Sequence, residues 1–205
     1  MQKLLEKDQR ARGFVKYDDG LKERTIEDWQ RDVSNINVIP DVSEAVKRLF
    51  DNAKDLYVFG YFRYNFFTIS THYALLALES AIRNRYYQSL GGTVTLSNAR
   101  GGSIRMAHPS HQRILAFCRA RKNWHPDSVY IGDEKFAYRP NELLKWLEEN
   151  DIITIWERKM CRMCLDSRNY LSHPTFSPIH LPGSAATTIR RVAELINKMY
   201  FSQAN

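Results

Sequence analysis

Apolar residues recur along most of this chain at intervals of three and four, the spacing of one face of a helix. The pattern is clearest in five places. Val42, Val46, Leu49 and Phe50 mark a short amphipathic helix over 41–50. A long helical region spans about 51–90, with Ile69, Tyr73, Leu76, Ala77, Ser80 and Ala81 as its core stripe. A helix over about 110–122 turns Ile114, Leu115, Phe117 and Cys118 inward. Another, over about 151–173, carries Ile152, Ile155, Trp156, Met160, Met163 and Cys164 as its buried face. The last, over about 184–202, is striped by Ile189, Val192, Ala193, Ile196 and Met199-Tyr200.

Punctuation between these runs supports the reading. Thr25 can cap a helix whose first turn holds Glu27 and Asp28. Gly60 marks a break inside the 51–90 region, and Gly91-Gly92 ends it. Asn141 caps a short helix reaching Glu149. The Gly/Ser/Asn/Thr-rich stretch 91–109 reads as a loop with a short extended piece at Thr93–Leu96, and 123–140 as a second loop. Residues 1–23, mostly charged and broken by Gly13 and Gly20, read as a short helix or a loose arm. The expectation is an all-α protein: an antiparallel bundle of four to five helices over 51–205, with an N-terminal helical extension over 1–50.

Composition adds three constraints. Hydrophobic residues make up 43% of the 205, enough for a real core. Net charge is +7, which favours an acidic partner such as nucleic acid without saying which. Three cysteines, no signal-peptide pattern and no apolar run of membrane-spanning length point to the cytoplasm.

The candidate chemistry is concentrated in Asp166-Ser167-Arg168-Asn169-Tyr170-Leu171-Ser172-His173-Pro174. A guanidinium, a carboxamide and an imidazole fall within six residues at the end of a predicted helix, before a proline that disfavours helix at His173. Those are groups that can hold and cleave a phosphodiester. Arg168-Asn169-xxx-His173 resembles the R-x(4–6)-H signature of the HEPN superfamily, in which a polar residue commonly follows the Arg. The resemblance covers the predicted bundle from about 55 to 203.

That resemblance implies a dimer whose motifs face one another across a cleft, and metal-independent cleavage of RNA in a toxin or antiviral-defence role. It implies no cofactor and no metal, and as partners RNA, a second copy of the chain and an antitoxin or defence-system protein, without a membrane. Some members of the superfamily have lost activity and serve as scaffolds, so a non-catalytic module binding a protein or RNA is the alternative. A DNA-binding helical regulator fits the charge but not the motif. Members often add an acidic residue from an earlier long helix. Glu79 is the candidate, in an otherwise apolar run; an intrahelical pair with Arg83 is the competing reading. The expected catalytic set is therefore Arg168, His173, Asn169 and Glu79.

In HEPN toxins a modifiable Tyr follows two residues after the His, but here that position is Thr175. An RNA track is expected along Arg113, Arg119, Arg121 and Lys122, with Trp124 and His125 after them, although a solvated face fits the same residues. Cys161-Arg162-Met163-Cys164 reads as small core thiols, since no further zinc ligands stand at suitable spacing.

Overall fold

A computed structural model describes residues 6–173 and 179–201. Seven α-helices alternate with two antiparallel sheets among these residues. The all-α, purely helical-bundle expectation is thus incorrect: the fold is mixed, with a four-stranded and a two-stranded sheet. The chain divides into two compact units, one of residues 1–81 with 163–205 and one of residues 82–162.

In the first unit, α1 (Ile26–Ser34) starts at Thr25, whose N–H donates to the Asp28 carboxylate at 2.8 Å. Helix α2 (Glu44–Phe59) extends the short helix read at 41–50 and buries Val46, Phe50, Ala53 and Tyr57 along one stripe. It stops at Gly60, and α3 (Phe66–Ser89) begins six residues later. The break expected at Gly60 is real, and packing against it requires glycine at this position. A Cβ at Gly60 would lie 2.4 Å from Cζ of Phe67. Gly60→Ala is expected to destabilise by about 1–3 kcal/mol through overpacking, read from the denaturant midpoint.

The aromatic residues around this break form the core. Trp29, Tyr57 and Phe67 are fully buried, and their rings contact one another at centroid distances of 5.3–5.9 Å. The Arg24 guanidinium lies 4.2 Å over the Trp29 ring, and Tyr57 donates to Asp32 at 2.7 Å. Helix α7 (Pro182–Phe201) buries Ile189, Val192, Ala193, Ile196, Met199 and Tyr200, the stripe read from the sequence. Tyr200 Oη donates to the carbonyl of Ala81 at 3.3 Å.

The N-terminal segment is neither a continuous helix nor loose. A 3-10 turn over Gln9–Gly13 precedes a hairpin of β1 (Val15–Tyr17) and β2 (Leu21–Glu23). The intervening Asp18-Asp19-Gly20 turns through positive φ at Asp19 (49°) and Gly20 (122°). Asp8 accepts from the Tyr64 N–H at 2.9 Å, and Lys16 donates to Asp28 at 2.8 Å, so the described part of the segment is tied down at two points. The Asp28 carboxyl is held at about 2 by the Lys16 ammonium and the Thr25 amide.

The second unit holds the larger sheet, ordered β4-β3-β5-β6. Strands β3 (Thr93–Asn98) and β4 (Ser103–Ala107) form a hairpin where a loop with one short extended piece was expected. Strands β5 (Val129–Ile131) and β6 (Glu134–Lys135) occupy the second expected loop. Asn98 makes the first turn: its Oδ1 accepts from Arg100 N at 3.0 Å and Gly102 N at 2.9 Å, and Gly101 takes φ 82°. Gly132, at φ 61°, makes the second. Helices α4 (His111–Arg119) and α5 (Pro140–Glu149) complete the unit, with Ile114, Cys118, Leu143, Leu144 and Leu147 buried. Helix α4 ends three residues before the expected Lys122.

Helix α6 (Ile155–Ser172) carries the motif. Its exposure differs from the expected apolar face. Cys161 and Leu165 are buried, but Ile155, Trp156, Met163 and Tyr170 are exposed. Among the described residues, no helix is long and apolar enough to cross a membrane.

Candidate functional site

Glu79 sits in the middle of α3 among Leu75, Ala77, Leu78 and Ala81, all buried. A carboxylate there needs a partner, because burying an unpaired charge is costly. Arg168 of α6 supplies one: its Nη2 donates to Glu79 Oε2. The Glu79 side chain is 7% exposed and that of Arg168 21%. Arg168 Nη1 donates to Asn169 Oδ1 at 2.9 Å, which orients the guanidinium from its other edge. Its Nε is buried and makes no hydrogen bond among the described residues. Three of the four expected catalytic residues thus meet, joined by an ion pair spanning eighty-nine positions of sequence.

His173 is the fourth. It lies exposed just beyond the end of α6, and its backbone N–H still closes the last turn on the Asn169 carbonyl at 3.1 Å. The guanidinium therefore points into the unit while the imidazole stands at the surface. Thr175 and Pro174 lie outside the described residues.

Two further histidines belong to this region and were not in the expected set. His72 is seven residues before Glu79, two helical turns along the same face of α3. Burial and the nearby Arg168 charge lower its pKa below 6.5, against an opposing pull from Glu79. His180 lies shortly before α7. Its backbone N–H donates to Thr68 Oγ1 at 3.0 Å, and burial lowers its pKa as well. Both Nδ1 atoms are buried without a hydrogen bond among the described residues. The face shared by His72 and Glu79 was legible at i, i+7; nothing in the sequence singled out His180.

These histidines give the unit a pH dependence of known sign. Each binds a proton more weakly when folded than when unfolded, so acidification favours the unfolded chain. Their stabilising contribution is whole above about pH 6.5 and is lost as pH falls through the window below it. The melting temperature is expected to drop between about pH 7 and 5, and His72→Phe to flatten that drop.

The expected RNA track lies in the second unit and is not uniform. Arg113 Nη1 donates to the carbonyls of Ala107 at 2.7 Å and His108 at 3.0 Å, so this residue anchors the end of β4. The Arg121 guanidinium lies 4.0 Å over the Phe117 ring, which meets Trp124 edge-on at 4.8 Å. Arg119 and Lys122 are exposed. Arg100 Nη1 donates to Asn123 Oδ1 at 2.8 Å and ties the β3–β4 turn to the segment after α4.

Cys118 and Cys161 are buried, Cys164 is half-buried, and all three are free thiols. Burial pushes the Cys118 and Cys164 thiols up, away from reactivity at neutral pH. Among the described residues, no group of three or more His, Cys, Asp or Glu side chains is placed to hold a metal ion.

The chain matches no family model, no curated protein and no solved structure.

Proposed function

We propose that this chain is a metal-independent endoribonuclease with a site of HEPN type, acting in the cytoplasm in toxin or antiviral defence. The observation that carries the reading is the Glu79–Arg168–Asn169 constellation next to an exposed His173. The HEPN resemblance implies an acidic residue from an earlier long helix, and Glu79 of α3 is such a residue. It fixes one edge of the guanidinium, and a phosphate would reach the cation through the part of the side chain that stays exposed.

The chemistry needs only the side chains and the RNA. The 2′-hydroxyl loses its proton to an imidazole and attacks the adjacent phosphorus. The P–O5′ bond breaks, and the departing oxygen takes a proton from a second imidazole. The products are a 2′,3′-cyclic phosphate and a 5′-hydroxyl. Arg168 offsets the charge that builds on the phosphoryl oxygens in the transition state.

One chain offers one His173. A homodimer supplies the acid and the base together. Met163 and Tyr170, exposed seven residues apart on α6, offer apolar area on one side of the motif helix for such an interface.

The second reading is a scaffold that binds a protein or RNA without cutting it. It is favoured by the engagement of Arg168 with Glu79, which by itself is also what a structural ion pair looks like. A pair of matched oligonucleotides separates the two. In EDTA, an RNA substrate is expected to be cut, while the same sequence with 2′-deoxyribose throughout stays whole. An intact RNA strand supports the scaffold.

A further inference from the structure

The larger sheet has an outward face that the ribonuclease site does not use. Cross-strand register defines it, because residues directly opposite in an antiparallel pair point to the same side. Thr95 pairs with Arg105, Ser97 with both Ser103 and Tyr130, and Tyr130 with Lys135. The alternate residues Val94, Leu96 and Val129 are buried, which puts the paired set outward. Arg105 and Lys135 are exposed, and Tyr130 is 38% exposed. Neither cation makes an ion pair among the described residues. Glu134, the acid of β6, pairs with Ile131 on the other side of the sheet.

Charge is segregated around this face. From Ile82 to Pro126 the chain carries eight Lys and Arg and no Asp or Glu. That stretch includes β3, β4 and α4, and with them Arg100 at the β3–β4 turn. A sheet face bearing hydroxyls, unpaired cations and one aromatic ring, with β3 and β4 in the acid-free stretch and Asp133 and Glu134 confined to the β5–β6 end, has the wrong chemistry for a protein interface core, which is apolar and depleted in charge. It has the right chemistry for a flexible polyanion whose bases can stack.

We propose that this outward sheet face binds single-stranded RNA. A base stacks on Tyr130, while Arg105 and Lys135 on either side of it neutralise backbone phosphates. The hydroxyls of Thr95, Ser97 and Ser103 accept and donate hydrogen bonds along the sugar–phosphate track. The inference deepens the ribonuclease reading by naming where the substrate is held, and rests on it for the choice of RNA.

Binding is measured by fluorescence anisotropy on the full chain carrying His173→Ala, so that the probe remains whole. The probes are a labelled oligouridylate and a labelled RNA duplex of equal length. The single strand is expected to bind more tightly than the duplex. Tyr130→Ala weakens that binding about tenfold, and Tyr130→Phe preserves it. Arg105→Gln with Lys135→Gln lowers the slope of log affinity against log salt by about 1.4, ~0.7 for each phosphate left without its cation. Circular dichroism establishes that each variant is folded. The charge pair carries the test should Tyr130→Ala fail to fold. Unchanged affinity and salt slope in folded variants, or tighter binding of the duplex, overturns the proposal. Cleavage by the unsubstituted chain is read separately, so failure of this site and failure of the nuclease reading remain distinguishable.

Discussion

Arg168→Ala is expected to damage both stability and activity. Removing the guanidinium leaves the Glu79 carboxylate buried in α3 without its ion-pair partner on α6. Breaking a buried pair from one side costs about 3–5 kcal/mol. Arg168 keeps some exposure to solvent, so the lower end, about 3 kcal/mol, is the expected loss in chemical denaturation. Replacing both partners by methionine should restore most of that stability, because no uncompensated charge remains. Neither variant should cleave RNA, since neither can stabilise charge on the phosphoryl group. A single variant as stable as the parent would show that the pair contributes nothing to the fold.

His173→Ala should separate the two properties that Arg168→Ala loses together. The side chain is exposed beyond the last turn of α6, and its backbone holds the helix end. Stability should therefore stay within about 0.5 kcal/mol of the parent. Loss of a general acid–base residue should slow cleavage by about a hundred- to ten-thousandfold. The pair of variants is informative because a residue whose role is purely structural cannot behave like His173, and one that is purely catalytic cannot behave like Arg168.

The helices were legible wherever one face alone is buried. The α7 stripe from Ile189 to Tyr200 and the cap at Thr25 both stand where the pattern puts them. On α3 the core stripe was misplaced: Ile69 is exposed and Tyr73, Leu76 and Ser80 are half-buried, while Ala74, Leu75, Leu78 and Ile82 face the core beside Ala77 and Ala81. The strands escaped for a different reason. Strands β5 and β6 are three and two residues long, and β5 pairs with β3 across about thirty positions of sequence. No alternation can be read in so few residues, and a long-range pairing leaves no local trace. The turn chemistry was the available signal: Asp19-Gly20, Asn98 to Gly102, and Gly132-Asp133 each close a hairpin.

Apolar character misled on α6. Trp156 and Met163 were placed in the core because they are large and hydrophobic, yet both are exposed, and Arg168 takes a place on the inward side. Hydrophobicity does not distinguish a core residue from one on an interaction surface. The Glu79–Arg168 pair was readable in outline, because a lone carboxylate in a run of Leu and Ala needs a cation and only tertiary structure can choose which. That Arg168 of α6 would be brought to it across eighty-nine positions was not in the sequence.

The most direct test of the ribonuclease site is incubation of purified protein with total RNA and a labelled tRNA in EDTA, beside Arg168→Ala and His173→Ala, with the chemistry of the new ends determined. The account predicts 2′,3′-cyclic phosphate and 5′-hydroxyl ends in the unsubstituted sample alone. Intact RNA with folded, unsubstituted protein would contradict the enzyme, and equal cleavage in all three samples would contradict the assignment of its residues.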